Sequence, residues 1–294
     1  MPIGLDIQTT KYFLAIRKED YLNSALLFIY LFLVITSLMI GKSVGTALFI
    51  SKFGALQLPY VIIGQTVLIT FLIAFYLRLS RRLEPPLLIS FTLIFLASNA
   101  VLLWWMLRSK MAAGIPLLYM WDGLFGVIAP MQVWTMGNFI FNTREARRYF
   151  GFVSSGGILG FIFGGYVSKK LAPPLGAENL LPSIAIFCCL AALLVQIIWR
   201  RNRERIAELQ RESTELNLPV SLKQSAILVR NSRYLLLITA LVTIASLATK
   251  IVDVQFSAIT ENLPLSRQCA STAARTASPA CIARAALPPG NKRQ

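Results

Sequence analysis

The sequence predicts an all-α, polytopic membrane helix bundle: six spans, a charged linker and a seventh span. Three observations predict it. The residues are 56% hydrophobic and only 14% charged, with a mean hydropathy of +0.63, whereas a soluble domain is nearer half apolar and a quarter charged. Seven apolar runs approach the ~20 residues a helix needs to cross hydrocarbon. Basic residues crowd alternate flanks of those runs. A net charge of +16 on a soluble chain would point to a nucleic-acid surface. The apolar runs here are too long for that, and no nucleic-acid partner is expected.

Span one, Asn23–Ile40, lies too far from the start, and is followed by too many others, to be a cleaved signal peptide. Spans two and three, Leu58–Leu77 and Pro86–Leu107, are uncharged, and Trp104 and Trp105 suit a membrane interface. Span four, Gly114–Phe141, carries Asp122. Span five, Phe150–Ser168, is uncharged and striped with glycine. Span six, Leu180–Trp199, ends on an interfacial tryptophan; its adjacent Cys188 and Cys189 read as apolar filler. Span seven, Tyr234–Ile259, carries Lys250 and Asp253. Buried soluble helices are the competing reading, and uncharged runs of this length leave it little room.

Charge orients the spans. One set of flanks holds seventeen basic residues, eight of them between spans six and seven; the opposite set holds six. Positive residues stay inside, so the N-terminus is expected in the cytoplasm, with the protein in a bacterial inner membrane. On this topology the chain divides into a six-span bundle at 1–199, a cytoplasmic linker at 200–233, a seventh span at 234–259 and a tail at 260–294. The segment Asn142–Arg148, NTREARR, becomes a short cytoplasmic loop whose arginines hold that end inside.

Gly156, Gly160 and Gly164 recur every fourth residue and share one helix face. Small residues let a neighbouring helix approach closely where lipid gives no hydrophobic drive. Simple packing is one reading of that face, and a sliding contact between the helices of a transporter is the other. The charges within spans carry the chemistry. A charge in hydrocarbon costs ~3 kcal/mol or more unless it meets a wet cavity or a partner. Asp122 is one candidate. Lys250 and Asp253, three residues apart, can share a face and pair. Lys52, ahead of Pro59, stands either at an outer mouth or in an ordinary loop.

The linker RRNRERIAELQRESTELNLPVSLKQSAILVRNSR begins with helical character, and Pro219 interrupts any continuous helix. After Glu261 the chain is rich in Ala, Ser, Arg and Pro and holds no span. A disordered tail is one reading. A change of translation frame that replaced a second half is the other, preferred because span seven otherwise leads nowhere. On it, the missing half or self-association is needed to complete a carrier. The chain has no histidine, no zinc spacing and no Walker loop, nucleophile elbow or dinucleotide fingerprint. No metal, no cofactor and no enzymatic activity are expected.

Asp122, Trp134, Asn138 and the run Glu145-Ala146-Arg147-Arg148-Tyr149 follow one another without a gap. This region resembles the ATP/ADP translocase (nucleotide transporter) family, which is related in fold to the major facilitator superfamily. That family places an acid in span four, then Trp, then Asn four residues on, then an E-A-basic-basic-aromatic loop. Ile251-Val252-Asp253-Val254 is similar to the family's L-V-E-V pattern, and FISKFGALQLP at 49–59 to a segment with a functional lysine ahead of Pro. Both acids here are Asp where the family has Glu, and the lysine spacing differs by one.

The resemblance implies a six-helix N-terminal half of a major-facilitator-like transporter plus a seventh span. It implies exchange of nucleotides by alternating access, with Lys52, Asp122 and Asp253 matching positions important to family members. A polyanionic solute needs cations, so Lys250 is expected at the substrate beside Lys52; Asn138 is expected there too, and Glu145, Arg147 and Arg148 in a gating loop. The partners would be a small anionic solute and the lipid bilayer. A major-facilitator-type carrier of another solute, a membrane enzyme acting on lipid and a non-transporting membrane module are the alternatives.

Overall fold

The computed structural model describes residues 18–54, 57–80, 84–111, 113–204, 206 and 232–262. They are almost entirely helical and include no strand. The helices are α1 (Lys18–Phe53), α2 (Leu58–Ser80), α3 (Pro85–Arg108), α4 (Gly114–Ile140), α5 (Thr143–Leu175), α6 (Leu181–Arg201) and α7 (Arg233–Asn262), with a 3₁₀ turn at Ala177–Leu180. Seven described helices are long and apolar enough to cross a membrane, which makes the chain a multi-pass integral membrane protein. In hydrocarbon every backbone amide and carbonyl needs a partner, and a helix supplies one within the segment. The linker expected at 200–233 and the tail expected at 260–294 fall almost wholly outside the described residues.

Two compact units divide the chain, one of residues 1–52 and 60–225 and the other of 53–59 and 226–294. The first holds the bulk of α1 to α6. Its core is built from stripes three and four residues apart: Ile89, Leu93, Leu96, Ala100, Leu103 and Leu107 on α3, and Leu181, Ile184, Cys188, Ala191, Val195 and Ile198 on α6. These two helices pack against each other, and Gln196 Nε2 donates to Ser90 Oγ across the contact at 2.9 Å. At the basic end, Asn23 and Asn202 are buried and exchange side-chain hydrogen bonds of 2.7 and 3.1 Å, joining α1 to the end of α6.

Two departures from the expected helix boundaries bear on the candidate residues. α1 runs on past Ile40 to Phe53, so Lys52 is helical rather than in a loop. Nothing between Ile40 and Phe53 breaks a helix; Gly54 does, at φ 77°. At 36 residues α1 is about 54 Å long, well beyond the ~30 Å of hydrocarbon, so a lysine near its end need not sit in lipid. The expected NTREARR loop is likewise mostly helix. α4 ends at Ile140 and α5 starts at Thr143, leaving two residues between them. The backbone N–H of Asn142 donates to Glu145 Oε2 at 3.0 Å, half of a capping box that starts a helix at this point.

Other ends follow simple chemistry. Pro85 and Pro86 open α3, where no amide partner is lost. Gly176, at φ 86°, turns the chain after α5. In the second unit, Thr239, Thr243, Ser246 and Thr249 of α7 each donate a hydroxyl to the carbonyl four residues back, at 2.8–2.9 Å. Those polar side chains are thereby satisfied within their own helix.

Candidate functional site

The site starts from α4. Asp122 lies where α4 meets α1, with its Oδ1 buried. A Cβ on Gly41 would come within 2.7 Å of that oxygen, so the glycine makes room for the carboxylate. The close approach continues along both helices: Gly45 faces Leu118 and Tyr119, and Gly126 faces Leu38, 3.0 Å from where its Cβ would be. Gly41 and Gly45 thus form a small-residue pair at four-residue spacing, the device that permits tight helix contact in lipid.

α2 closes the other side of α4. Gln65 Nε2 donates to the Tyr119 carbonyl at 2.7 Å. Its side chain crosses Gly123, in the space that a Cβ would fill. Three turns along the same face of α2, Tyr76 Oη accepts from Gln132 Nε2 of α4 at 3.4 Å. α4 is therefore pinned to α2 by two polar contacts and nested against α1 by glycines.

The residues expected at the substrate are spread out. Lys52 is exposed in the last turn of α1, about 16 Å along the axis from Gly41. Asn138 is exposed near the far end of α4, about 24 Å along the axis from Asp122. The six-helix unit does not gather Lys52, Asp122 and Asn138 into one cluster. Lys250 and Asp253 lie three residues apart on α7, in the second unit. Glu145 takes part in the capping of α5, while Arg147 and Arg148 are exposed in its first two turns, with the Arg148 guanidinium 5.8 Å from the centre of the Tyr149 ring.

The chain matches no protein-family model, no curated protein and no solved structure. What the arrangement can do therefore rests on its own chemistry. Among the described residues no group of three His, Cys, Asp or Glu side chains is placed to hold a metal ion. The face of Gly156, Gly160 and Gly164 lies on α1: Cβ atoms there would meet the carbonyl oxygens of Phe28, Phe32 and Thr36 at 2.6, 2.6 and 2.9 Å. Thr36 Oγ1 donates to the Gly160 carbonyl across that contact at 3.3 Å. α1 thus meets α5 and α4 along glycines, on its own side at Gly41 and Gly45 and on the partner's side at α5.

Sequence reasoning missed several of these positions. The spacing of Gly41 and Gly45 repeats that of the α5 glycines and was readable. Gln65 and Gln132, polar in apolar spans, were readable as residues needing partners. The Asn23–Asn202 pair, 179 residues apart, leaves no local signal.

Proposed function

We propose that the six-helix unit is one bundle of a secondary transporter that exchanges an anionic solute, a nucleotide of the ATP/ADP kind, by alternating access in a bacterial inner membrane, with the N-terminus in the cytoplasm. The observation that carries the reading is Asp122, a carboxylate set into the α1–α4 contact against Gly41. A charge kept within a span marks a solute pathway more often than it builds a scaffold. Glycine-lined contacts of α1 with both α4 and α5 suit helices that shift against each other as a bundle rocks.

The resemblance of residues 122–150 to nucleotide translocases supplies the substrate class. In the six-helix unit Lys52 would receive phosphate oxygens through charge-assisted hydrogen bonds, with Asp122 further along the same pathway; on α7, taken by itself, Lys250 would do the same with Asp253 to balance it. A second bundle, from another copy or another chain, would form the opposite wall of the pathway. No bond is made or broken in the solute, so no catalytic residue is assigned. A major-facilitator-type carrier of another solute is the second reading, favoured by the separation of Lys52, Asp122 and Asn138.

The test is exchange in proteoliposomes loaded with ATP and given labelled ADP outside. Uptake that needs internal nucleotide, and that Asp122→Asn abolishes, supports nucleotide exchange. Uptake unchanged in Asp122→Asn removes Asp122 from the pathway. Failure to bind or exchange any adenine nucleotide, with uptake of another anion, leaves the carrier reading and changes its substrate.

A further inference from the structure

One end of the six-helix unit gathers arginines. α5 starts there and α6 ends there. Residues 145–148 and 200–204 hold five arginines against two glutamates, and Glu145 is engaged in starting α5. Arg147, Arg148, Arg200, Arg201 and Arg203 are all exposed. Among the described residues, Arg200, Arg201 and Arg203 enter no ion pair.

Aromatic contacts hold the two helix ends beside the end of α4. Phe141, just past α4, stacks on Tyr149 of α5 with ring centres 5.3 Å apart. The Arg148 guanidinium lies 5.8 Å from the centre of that same Tyr149 ring. Phe139 meets the Trp199 ring of α6 edge-on at 6.4 Å, and Arg200 and Arg203 follow Trp199 within about one turn. α1 closes the group: Tyr21 meets Tyr149 at 6.4 Å, and Asn23 bonds Asn202, which stands between Arg201 and Arg203. The start of α5 and the end of α6 therefore each lie about one packing distance, roughly 8–10 Å, from α1 and from the end of α4. The preference of basic residues for one side of the membrane accounts for their sign. It does not ask that two sets of them meet. Cations in the first turns of α5 also oppose its helix dipole. Like charges this close repel, and a shared anion removes that cost.

We propose that this patch binds the headgroup phosphate of an anionic phospholipid, with Arg148 on one side and Arg200 and Arg203 on the other. Depth selects the lipid. Tyr149 and Trp199 are amphipathic rings of the kind that sit at headgroup level, and the apolar spans begin at Phe150 and end at Ile198, one residue further in. Arginine at a helix end reaches that level on its long side chain, and its planar fork matches two phosphate oxygens. A zwitterionic headgroup brings a cation that the arginines repel, so the patch favours a lipid with net negative charge. The inference needs only the membrane setting, and it stands whether or not the chain carries a solute.

Thermal unfolding of the purified full chain in detergent, titrated with phosphatidylglycerol or with phosphatidylcholine, tests this. A ligand that binds the folded state raises Tm as its concentration rises above Kd. Phosphatidylglycerol should act at lower concentration than phosphatidylcholine. Arg148→Gln and Arg203→Gln should each raise the phosphatidylglycerol concentration needed by about 5-fold, near what one basic residue contributes at a charged membrane surface. Lys169→Gln, which removes an exposed cation at the other end of α5, should leave it unchanged. Equal action of the two lipids overturns the proposal, because headgroup charge is then not read. An equal shift from Lys169→Gln also overturns it, because any surface cation then suffices. A shift from only one of the two arginine variants rules out a patch shared by α5 and α6. Glycerol 3-phosphate separates the sources: if it stabilises the chain at the same concentration as phosphatidylglycerol, the patch takes free phosphate and the lipid assignment fails. Should either arginine variant fail to fold, Arg200→Gln takes its place with the same expected shift.

Discussion

A Cβ placed on Gly160 would lie 2.6 Å from the carbonyl oxygen of Phe32 and 3.2 Å from its Cα. Both are backbone atoms, which no rotamer change can move aside. Gly165, five residues on, has nothing within 4 Å of its Cβ direction. Gly160→Leu should therefore force α1 and α5 apart, costing at least ~1–3 kcal/mol and lowering the yield of monodisperse protein. Gly165→Ala, on the same helix, should be neutral or gain up to ~1 kcal/mol from helix propensity. Size-exclusion yield and thermal unfolding read both. Equal behaviour of the two variants would mean that the α1–α5 contact does not hold the bundle. The four-residue spacing of these glycines was plain in the sequence. Which helix they meet was not, because a stripe of small residues looks the same whether α1 or lipid lies against it.

Between helices, the joint at Phe141–Asn142 is one place where the sequence reading and the fold diverge. Three arginines and a glutamate read as a loop, since charge runs usually lie in solvent. The same residues open α5, because Glu145 reaches back to the amide of Asn142 and the asparagine three residues before a glutamate is a helix-start pattern. The pattern was legible and was outweighed by charge. It also gives Glu145 a structural role that a gating role would have to coexist with. Glu145→Ala should destabilise the start of α5 by about 1 kcal/mol, seen as faster hydrogen exchange at the amides of 143–147. Glu145→Gln, which still accepts a hydrogen bond, should restore most of that protection. If Glu145→Gln is as damaging as Glu145→Ala, the carboxylate's charge matters beyond the cap.

For the molecule as a whole, the asymmetry of seventeen basic residues against six fixes an expected orientation through the preference of Lys and Arg for the cytoplasmic side. Replacing the four native cysteines and introducing Arg203→Cys puts one thiol just past α6. That thiol should react with a membrane-impermeant maleimide in inside-out vesicles and stay unlabelled in intact cells. Labelling from outside intact cells would invert the topology, and with it the side on which Arg147 and Arg148 stand.

The sequence by itself determined that the chain is a polytopic helix bundle, where each span lies to within a few turns, and which side chains carry charge into it. Those properties are local: a run of apolar residues of membrane length has one stable backbone form in hydrocarbon. Only the tertiary structure decided which helix meets which. It set Gly41 against Asp122, laid Gln65 across Gly123, turned the α5 glycines onto α1, and paired Asn23 with Asn202. It also kept Lys52 and Asn138 apart from Asp122 along α1 and α4. In lipid, helices associate through close packing and a few hydrogen bonds rather than by burying apolar surface from water. Such contacts depend on the faces of two helices at once, and the faces of one helix read alone do not say which neighbour they will find.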